Sequence, residues 1–325
     1  MKNSFIFLFL VTFSSALFFQ SCNPSIIIIA KRPAEVNLKN YKKIAIGSII
    51  DPSGRESGHS QDIVDDLTAK LFDSKAFEVV DRQNLDKILK ELNLGQSGLV
   101  DENSASEIGK ILGSAVMVFG RLQNDSYKEI RSVSEYNDDK GKKHKTYKCE
   151  GTLTFIINLK LIDVKTSKIL AIRTLNGSSS ETSKGFDQAA PEIDQNNLYT
   201  NCKNSVISQF MRVIAPYEVN LQVVFQKDAK LPELEQALTQ IKIKEWDTAV
   251  KLLADATTRQ DLVPKVKAKA YYNYGLILNS IGKFDEAINN FNDAMKLMPN
   301  ITKYQEAIVT AKEDKARDAK LKEQQ

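Results

Sequence analysis

Residues 44–50 read IAIGSII and residues 51–54 read DPSG. A short apolar run that stops at Pro and Gly is typical of a buried β-strand that enters a loop. A helix is predicted next, from apolar side chains that recur at every fourth position: Ile63, Leu67 and Leu71. This spacing places them on one face of a helix over residues 62–73. Strand followed by amphipathic helix predicts an α/β domain.

The alternation of strands and helices continues to residue 214. Strands are predicted at residues 77–81, 115–120, 152–163 and 169–175, and helices at residues 85–92, 105–112 and 206–214. Ser104 and Glu107 have the spacing of a capping box, and Gly113 is suited to end the helix that they begin. Residues 177–201 are polar and are predicted to be a loop. The simplest packing is a mixed β-sheet with flanking helices.

The composition excludes several functional classes. The chain has 325 residues, of which 42% are hydrophobic, and its 45 Lys and Arg against 41 Asp and Glu give a net charge of +4. So small a charge, spread along the chain, gives no support for nucleic-acid binding. Three Cys and two His, without paired short spacings, predict no metal site, and we expect no cofactor.

The first residues predict export. An apolar stretch at residues 5–19 follows Lys2 and is too short to span a membrane, so residues 1–21 are predicted to be a signal peptide. Residues 17–22, LFFQSC, resemble a bacterial lipobox, which implies lipidation of Cys22 and, because Asn23 follows, a place on the periplasmic side of the outer membrane. Phe19 and Gln20 depart from that pattern. The alternative is an ordinary signal peptidase site.

Cys149 and Cys202 would then lie in an oxidising compartment. A disulfide between them is one prediction. Two unbridged thiols are the other, and the sequence leaves both open.

Residues 42–176 resemble the CsgG family, the curli secretion channel and related outer-membrane lipoproteins. The resemblance lies in FEVVDR at residues 77–82, GQSG at 95–98, VMVFG at 116–120 and LIDV at 161–164, in order and at similar spacing. It implies a CsgG-like α/β domain over residues 41–228. None of these residues is a nucleophile or an acid–base pair, so no enzymatic activity is expected.

In the channel member of this family, two β-hairpins of each subunit insert into the membrane. A lipid-facing strand needs about ten residues with every second one apolar. The first strand of the first such hairpin would lie at residues 126–135. One face of it would carry Glu129, Arg131 and Glu135, and the other would carry Lys128 and three serines. The sequence therefore favours a periplasmic relative that forms no channel, with the channel subunit as the alternative.

Residues 268–300 resemble a tetratricopeptide repeat, a helical hairpin with small residues where its helices touch. The matching residues are Gly275, Gly282, Phe284, Ala287, Phe291, Ala294 and Pro299, and a weaker copy has Ala237, Trp246, Ala249, Leu253 and Ala256. Such repeats bind extended peptides or helices, and the resemblance would place Lys269, Tyr272 and Asn279 in the groove. The alternative is that these three residues only solvate a surface.

These observations predict five segments: a signal peptide (1–21), a lipidated tether (22–40) that could also form an edge strand, a CsgG-like domain (41–228), an all-α tetratricopeptide-repeat domain with a capping helix (229–311), and a charged, solvated tail (312–325). The function they favour is that of a lipid-anchored envelope module that binds other proteins or peptides. Whether it forms a homo-oligomer is left open.

Overall fold

The computed structural model describes residues 23–80, 113 and 115–325. The signal segment, Cys22 and the helices predicted at residues 85–92 and 105–112 lie outside the described residues. In the part that is described, the strands are β1 (Ser25–Arg32), β2 (Lys43–Ile50), β3 (Glu78–Val79), β4 (Ala115–Asn137), β5 (Lys143–Asp163), β6 (Lys168–Phe186) and β7 (Tyr217–Val224). The helices of the same part are α1 (Gly58–Ser74), α2 (Gln195–Ile214), α3 (Pro232–Lys242), α4 (Trp246–Thr258), α5 (Pro264–Ser280), α6 (Phe284–Leu297) and α7 (Thr302–Gln324).

The chain divides into two compact units. The helical unit comprises residues 1–30 and 220–316, and the sheet unit comprises residues 31–219 and 317–325. Each unit is described separately below.

The sheet unit contains a five-stranded mixed sheet with the order β3-β2-β4-β5-β6. Strand β2 pairs in parallel with β3 and β4, whereas β4, β5 and β6 form an antiparallel meander. Helices α1 and α2 contribute buried side chains to the same core as the sheet, among them Leu67, Leu71, Phe210 and Val213. The predicted α/β class, with a mixed sheet and flanking helices, is confirmed.

Strand β2 and β4 approach each other closely at Gly47. A Cβ atom at this position would lie 2.5 Å from Cε1 of Phe119, so only glycine leaves room for the ring. Gly113 has a φ of 76°, a left-handed conformation that glycine adopts without strain.

Strands β4, β5 and β6 extend past the end of β2. We call this extension the arm, and it comprises residues 122–137 of β4, 143–157 of β5 and 175–186 of β6. Within the arm, β4 pairs with β5 as far as Asn137, and β5 pairs with β6 as far as Phe186. The prediction of a loop at residues 177–201 is therefore wrong, because β6 runs to Phe186 and α2 begins at Gln195. The outer half of β6 is rich in Ser and Thr and has no alternation of apolar residues. It is a strand because its backbone pairs with β5.

The helical unit contains two helical hairpins, α3–α4 and α5–α6, in the region where helices were predicted. Pro232 and Pro264 stand in the first turns of α3 and α5, where the missing amide hydrogen costs nothing. Between α5 and α6 the chain turns at Gly282, with a φ of 82°. Halfway along α5, a Cβ atom at Gly275 would lie 2.5 Å from Cε1 of Phe291 on α6. This pair sets the distance between the two helices.

The two terminal segments of the described chain form regular elements. Residues 25–32 form β1, which pairs with β7. Of the two structures considered for residues 22–40, a tether and an edge strand, this part of the chain is a strand. Residues 312–325, predicted to be a polar extension of the capping helix, solvated or frayed, continue α7 to Gln324, and Asp314 and Leu321 are buried whereas most of the others are exposed. None of the helices in the described ranges is long and apolar enough to cross a membrane.

Candidate protein-binding site

A short segment without regular secondary structure, residues 225–228, lies against α5 in the helical unit. The side chain of Asn273 is fully buried and faces this segment. The amide N–H of Gln226 donates to Oδ1 of Asn273 over 2.8 Å, and Nδ2 of Asn273 donates to the carbonyl of Gln226 over 2.9 Å. One side chain thus pairs with both backbone groups of Gln226.

Lys269, one turn before Asn273 on α5, holds the next two residues of the segment. Its Nζ donates to the carbonyl of Lys227 over 3.2 Å and to Oδ2 of Asp228 over 2.9 Å. Burial alone would raise the pKa of Asp228, but the hydrogen bond from Lys269 and that from the backbone of Lys230 outweigh it, so the pKa is lowered. Asp228 is therefore held as a carboxylate against an ammonium group.

Two further contacts complete this arrangement. The hydroxyl of Tyr304, on α7, donates to Oε1 of Gln226 over 3.0 Å. Phe225 is fully buried in a cluster with Leu234 and Ile277. Asn273, Lys269 and Tyr304 together form what we call the clamp, and residues 225–228 are the clamped segment. The clamp holds a segment of the chain itself, through backbone groups of Gln226 and Lys227 and through the side chains of Gln226 and Asp228.

The three residues predicted for a peptide groove have different surroundings. Lys269 contacts the clamped segment, as described. Tyr272 is buried between the rings of Phe291 and Tyr304, at centroid distances of 5.8 and 5.2 Å, and this burial raises its pKa. Asn279 donates from Nδ2 to Oδ2 of Asp314 on α7 over 2.9 Å. As contacts to a separate peptide, all three remain predictions.

The sequence interpretation missed Asn273. It lies four residues after Lys269 and therefore on the same side of α5, which is the one signal that could have found it. The expectation for the groove relied on the tetratricopeptide pattern, which placed Tyr272 and Asn279 there instead.

Cys149 and Cys202 are both buried thiols in the structure and are not joined by a disulfide. Cys149 lies on β5 opposite Arg131, and Sγ of Cys202 donates to the carbonyl of Leu153 over 3.3 Å. Of the two alternatives that the sequence left open, the structure contains the unbridged pair.

The tip of the arm contains a charged cluster around His144. Nδ1 of His144 lies 2.5 Å from Oδ2 of Asp187, and Nε2 lies 3.4 Å from Oδ2 of Asp138. The ring stacks on Tyr136 at 5.5 Å between centroids. The hydrogen bond to Asp187 is the largest cause of a raised pKa of His144. The cluster ties the β4–β5 turn to the end of β6.

The arm has polar contacts on both of its faces, and one of these faces also buries apolar side chains of β5 in the core of the sheet unit, among them Leu153, Phe155 and Ile157. On one, the hydroxyl of Tyr127 donates to Glu129 over 2.7 Å, which raises the pKa of Tyr127 to about 12, and Arg131 forms an ion pair with the same carboxylate. On the other, Thr152 bonds to Ser180 over 2.9 Å. Within the described ranges, no three His, Cys, Asp or Glu side chains are placed to hold a metal ion.

Comparison with known proteins gives one family match and several distant structural ones. The family model described as curli production assembly/transport component CsgG matches residues 34–241, more than half of the chain. The search of curated proteins found no match to the chain.

Three solved structures illustrate the distant matches. Lipoprotein GNA1162 from Neisseria meningitidis is 12% identical, with 52% of this chain and 96% of that chain covered and a TM-score of 0.31. The LpoB C-terminal domain from Escherichia coli is 15% identical, with coverages of 46% and 86% and a TM-score of 0.28. The PelC dodecamer from Paraburkholderia phytofirmans is 12% identical, with coverages of 59% and 99% and a TM-score of 0.25. The family match, rather than these distant folds, defines the relationship.

Proposed function

The chain belongs to the CsgG family, and from this premise we propose that it is a cell-envelope protein that acts by binding other proteins and not by catalysis. The family supports the place in the envelope. The binding role is an inference from the helical unit, and the observation that carries it is the clamp. On α5 a buried asparagine pairs with both backbone groups of Gln226, and this capacity to hold a peptide backbone, here the chain's own, supports a binding role for the same helix.

We propose further that α3 to α6 are two repeats of the tetratricopeptide type and that α7 caps them. The close contact of Gly275 with Phe291 and the left-handed Gly282 support this assignment. Repeats of this kind bury a continuous core by stacking, and two of them need a further element to cover their end. In the helical unit, Tyr304 and Ile308 of α7 join the core cluster of Tyr272 and Phe291.

The proposed attachment to the membrane is through acyl chains on Cys22, on the periplasmic side of the outer membrane. Several acyl chains on one residue give stable attachment, because each buried CH₂ contributes about 0.8 kcal/mol. Radioactive palmitate should label the protein in growing cells and should not label Cys22→Ala. Labelling that persists in Cys22→Ala contradicts the anchor.

A channel subunit of the curli type is the second candidate, and the arm is the observation that favours it. Its strands extend well past β2, as strands that reach into a membrane must. Its exposed charged side chains, Lys128 and Arg131 among them, argue against it, because Arg or Lys at the middle of a bilayer costs about 2–4 kcal/mol per residue. We therefore propose that the arm works in water.

Photo-crosslinking in intact cells tests the binding role. A photoreactive amino acid at Lys265, exposed on α5 one turn before Lys269, should give discrete adducts with an envelope protein. The matched control is Lys165, equally exposed in the β5–β6 turn of the sheet unit, which should give none. Equal adducts from both positions, or none from either, would contradict the proposal. Large rings in detergent extracts would favour the channel.

A further inference from the structure

Strand β1 presents two large aliphatic side chains to solvent. Ile27 is 72% exposed and Ile29 is 68% exposed, whereas Ile26 and Ile28, which alternate with them, are half-buried. Ser25 and Lys31 share the exposed side of the strand, and Ser25 is bonded to Gln222 of β7. The exposed side of β1 is thus an apolar pair with a lysine at its end.

The beginning of this strand is fixed to the helical unit. The amide of Phe225 donates to the carbonyl of Pro24 over 2.9 Å, and the amide of Lys227 donates to Oδ1 of Asn23 over 3.2 Å. These acceptors are the first two residues that the structure describes. Since Phe225 is itself fully buried, no flexible spacer separates residue 22 from the folded unit.

The length of chain that remains is short. Ile27 is five residues after Cys22, and a fully extended chain gains at most about 3.3–3.6 Å per residue, so Ile27 lies at most about 17 Å from Cys22 and Ile29 at most about 25 Å. The headgroup layer on each side of the hydrocarbon core is about 5–8 Å thick. Acyl chains on Cys22 would therefore hold Ile27 and Ile29 within reach of the membrane surface.

We propose that the exposed side of β1 docks on the lipid surface of the membrane, with Ile27 and Ile29 inserted between headgroups and Lys31 beside the lipid phosphates. This inference depends on the lipidation of Cys22 proposed above. Aliphatic side chains that leave water for the acyl boundary stabilise such a contact, and a lysine at the edge adds attraction to anionic lipid. The helical unit is then held directly at the membrane.

Fluorescence quenching on the full chain tests this docking. The variants Ile27→Cys and Ile29→Cys carry an environment-sensitive fluorophore, and the protein is bound to vesicles of phosphatidylethanolamine and phosphatidylglycerol. The matched control is Ile243→Cys, in the same unit and 62% exposed. Unsubstituted protein gives the background from the native thiols, which are the buried Cys149 and Cys202 and, where it carries no lipid, Cys22.

Labels at residues 27 and 29 should be quenched by nitroxide-bearing lipids and protected several-fold from iodide, with the reverse at residue 243. Equal access of iodide to all three positions overturns the proposal. Protection from both quenchers also overturns it, since a second protein molecule would then cover the strand. Mass spectrometry of the amino-terminal peptide reports lipidation separately. If Cys22 is unmodified, the anchor fails, but lipid quenching at residues 27 and 29 with added vesicles still decides the docking.

Discussion

The side chain of Asn273 pairs with both backbone groups of Gln226, although the two residues are 47 positions apart in the sequence. An asparagine side chain offers one acceptor and one donor side by side, as an extended backbone does. Because Asn273 is fully buried, water cannot replace either bond. The clamped segment is therefore part of the helical unit's structure.

Replacing Asn273 by alanine should destabilise the helical unit by about 2–4 kcal/mol, because the amide and the carbonyl of Gln226 would each lose a buried partner. The measurement is urea unfolding of the full chain, followed by the fluorescence of Trp246, the one tryptophan in the sequence. Trp246 packs against the core cluster that contains Phe225 and therefore reports on this unit.

The matched control for this change is Asn290→Ala on α6. Nδ2 of Asn290 donates to the carbonyl of Glu286 within the same helix, so its loss should change stability by only a few tenths of a kcal/mol. Equal effects of the two substitutions would show that the clamp contributes nothing specific.

Replacing Gly275 by alanine should cost about 1–3 kcal/mol, because the new Cβ would overlap the ring of Phe291, as in other overpacked cores. A smaller side chain should relieve the overlap. The double variant Gly275→Ala with Phe291→Leu should therefore lose less stability than the sum of its single variants, in the same urea experiment. Strict additivity would mean that the two residues do not set the spacing of α5 and α6.

Cys149 and Cys202 should both react slowly with a maleimide in the native protein and rapidly after unfolding. Both are buried, and the pKa of Cys149 is raised chiefly by burial and then by the carboxylate of Glu129, which lowers the population of the reactive thiolate. Peptide mass spectrometry of protein extracted from cells under acid quench is the direct measurement. A peptide that links residues 149 and 202 by a disulfide would refute the unbridged pair.

Much of the sheet unit could be predicted from local patterns. The apolar run at residues 44–50 and the helical spacing of Ile63, Leu67 and Leu71 predict β2 and α1, because each element buries one continuous set of side chains. The outer half of β6 could not be predicted in this way. Its serines and threonines carry no apolar alternation, and the partner that orders them, β5, is supplied by tertiary pairing.

The site was harder to predict because the clamp contacts the backbone of residues 226 and 227, and backbone groups leave no pattern in the sequence. Lys269 could be named from the repeat pattern, but nothing local in the sequence indicates that Asn273 faces residues 225–228. The contacts made by the end of α7 could not be predicted for a similar reason. Its last turns look polar, yet Gln324 makes two bonds with the backbone of Ala34, from a distant part of the chain in the sheet unit.

The tip of the arm should become less stable as the pH rises. Hydrogen bonds, first to Asp187 and then to Asp138, raise the pKa of His144 above its usual value near 6.5 against the opposing effects of burial and Lys142. Since the folded pKa exceeds the unfolded one, the stabilisation is complete below about pH 6 and is lost as the pH rises through the folded pKa. Hydrogen exchange of the Lys145 amide, which donates to Asp187 over 2.7 Å, should therefore show less protection at about pH 8.5 than at about pH 6, after correction for intrinsic rates. The matched variant is Asp187→Asn, in which this difference should shrink strongly. Asparagine tolerates the φ of 54° at that position, so the backbone conformation is retained.

The same pH dependence in Asp187→Asn would refute the charged link between the turn and β6. An NMR titration of His144 that gives a pKa at or below its usual value would refute it too.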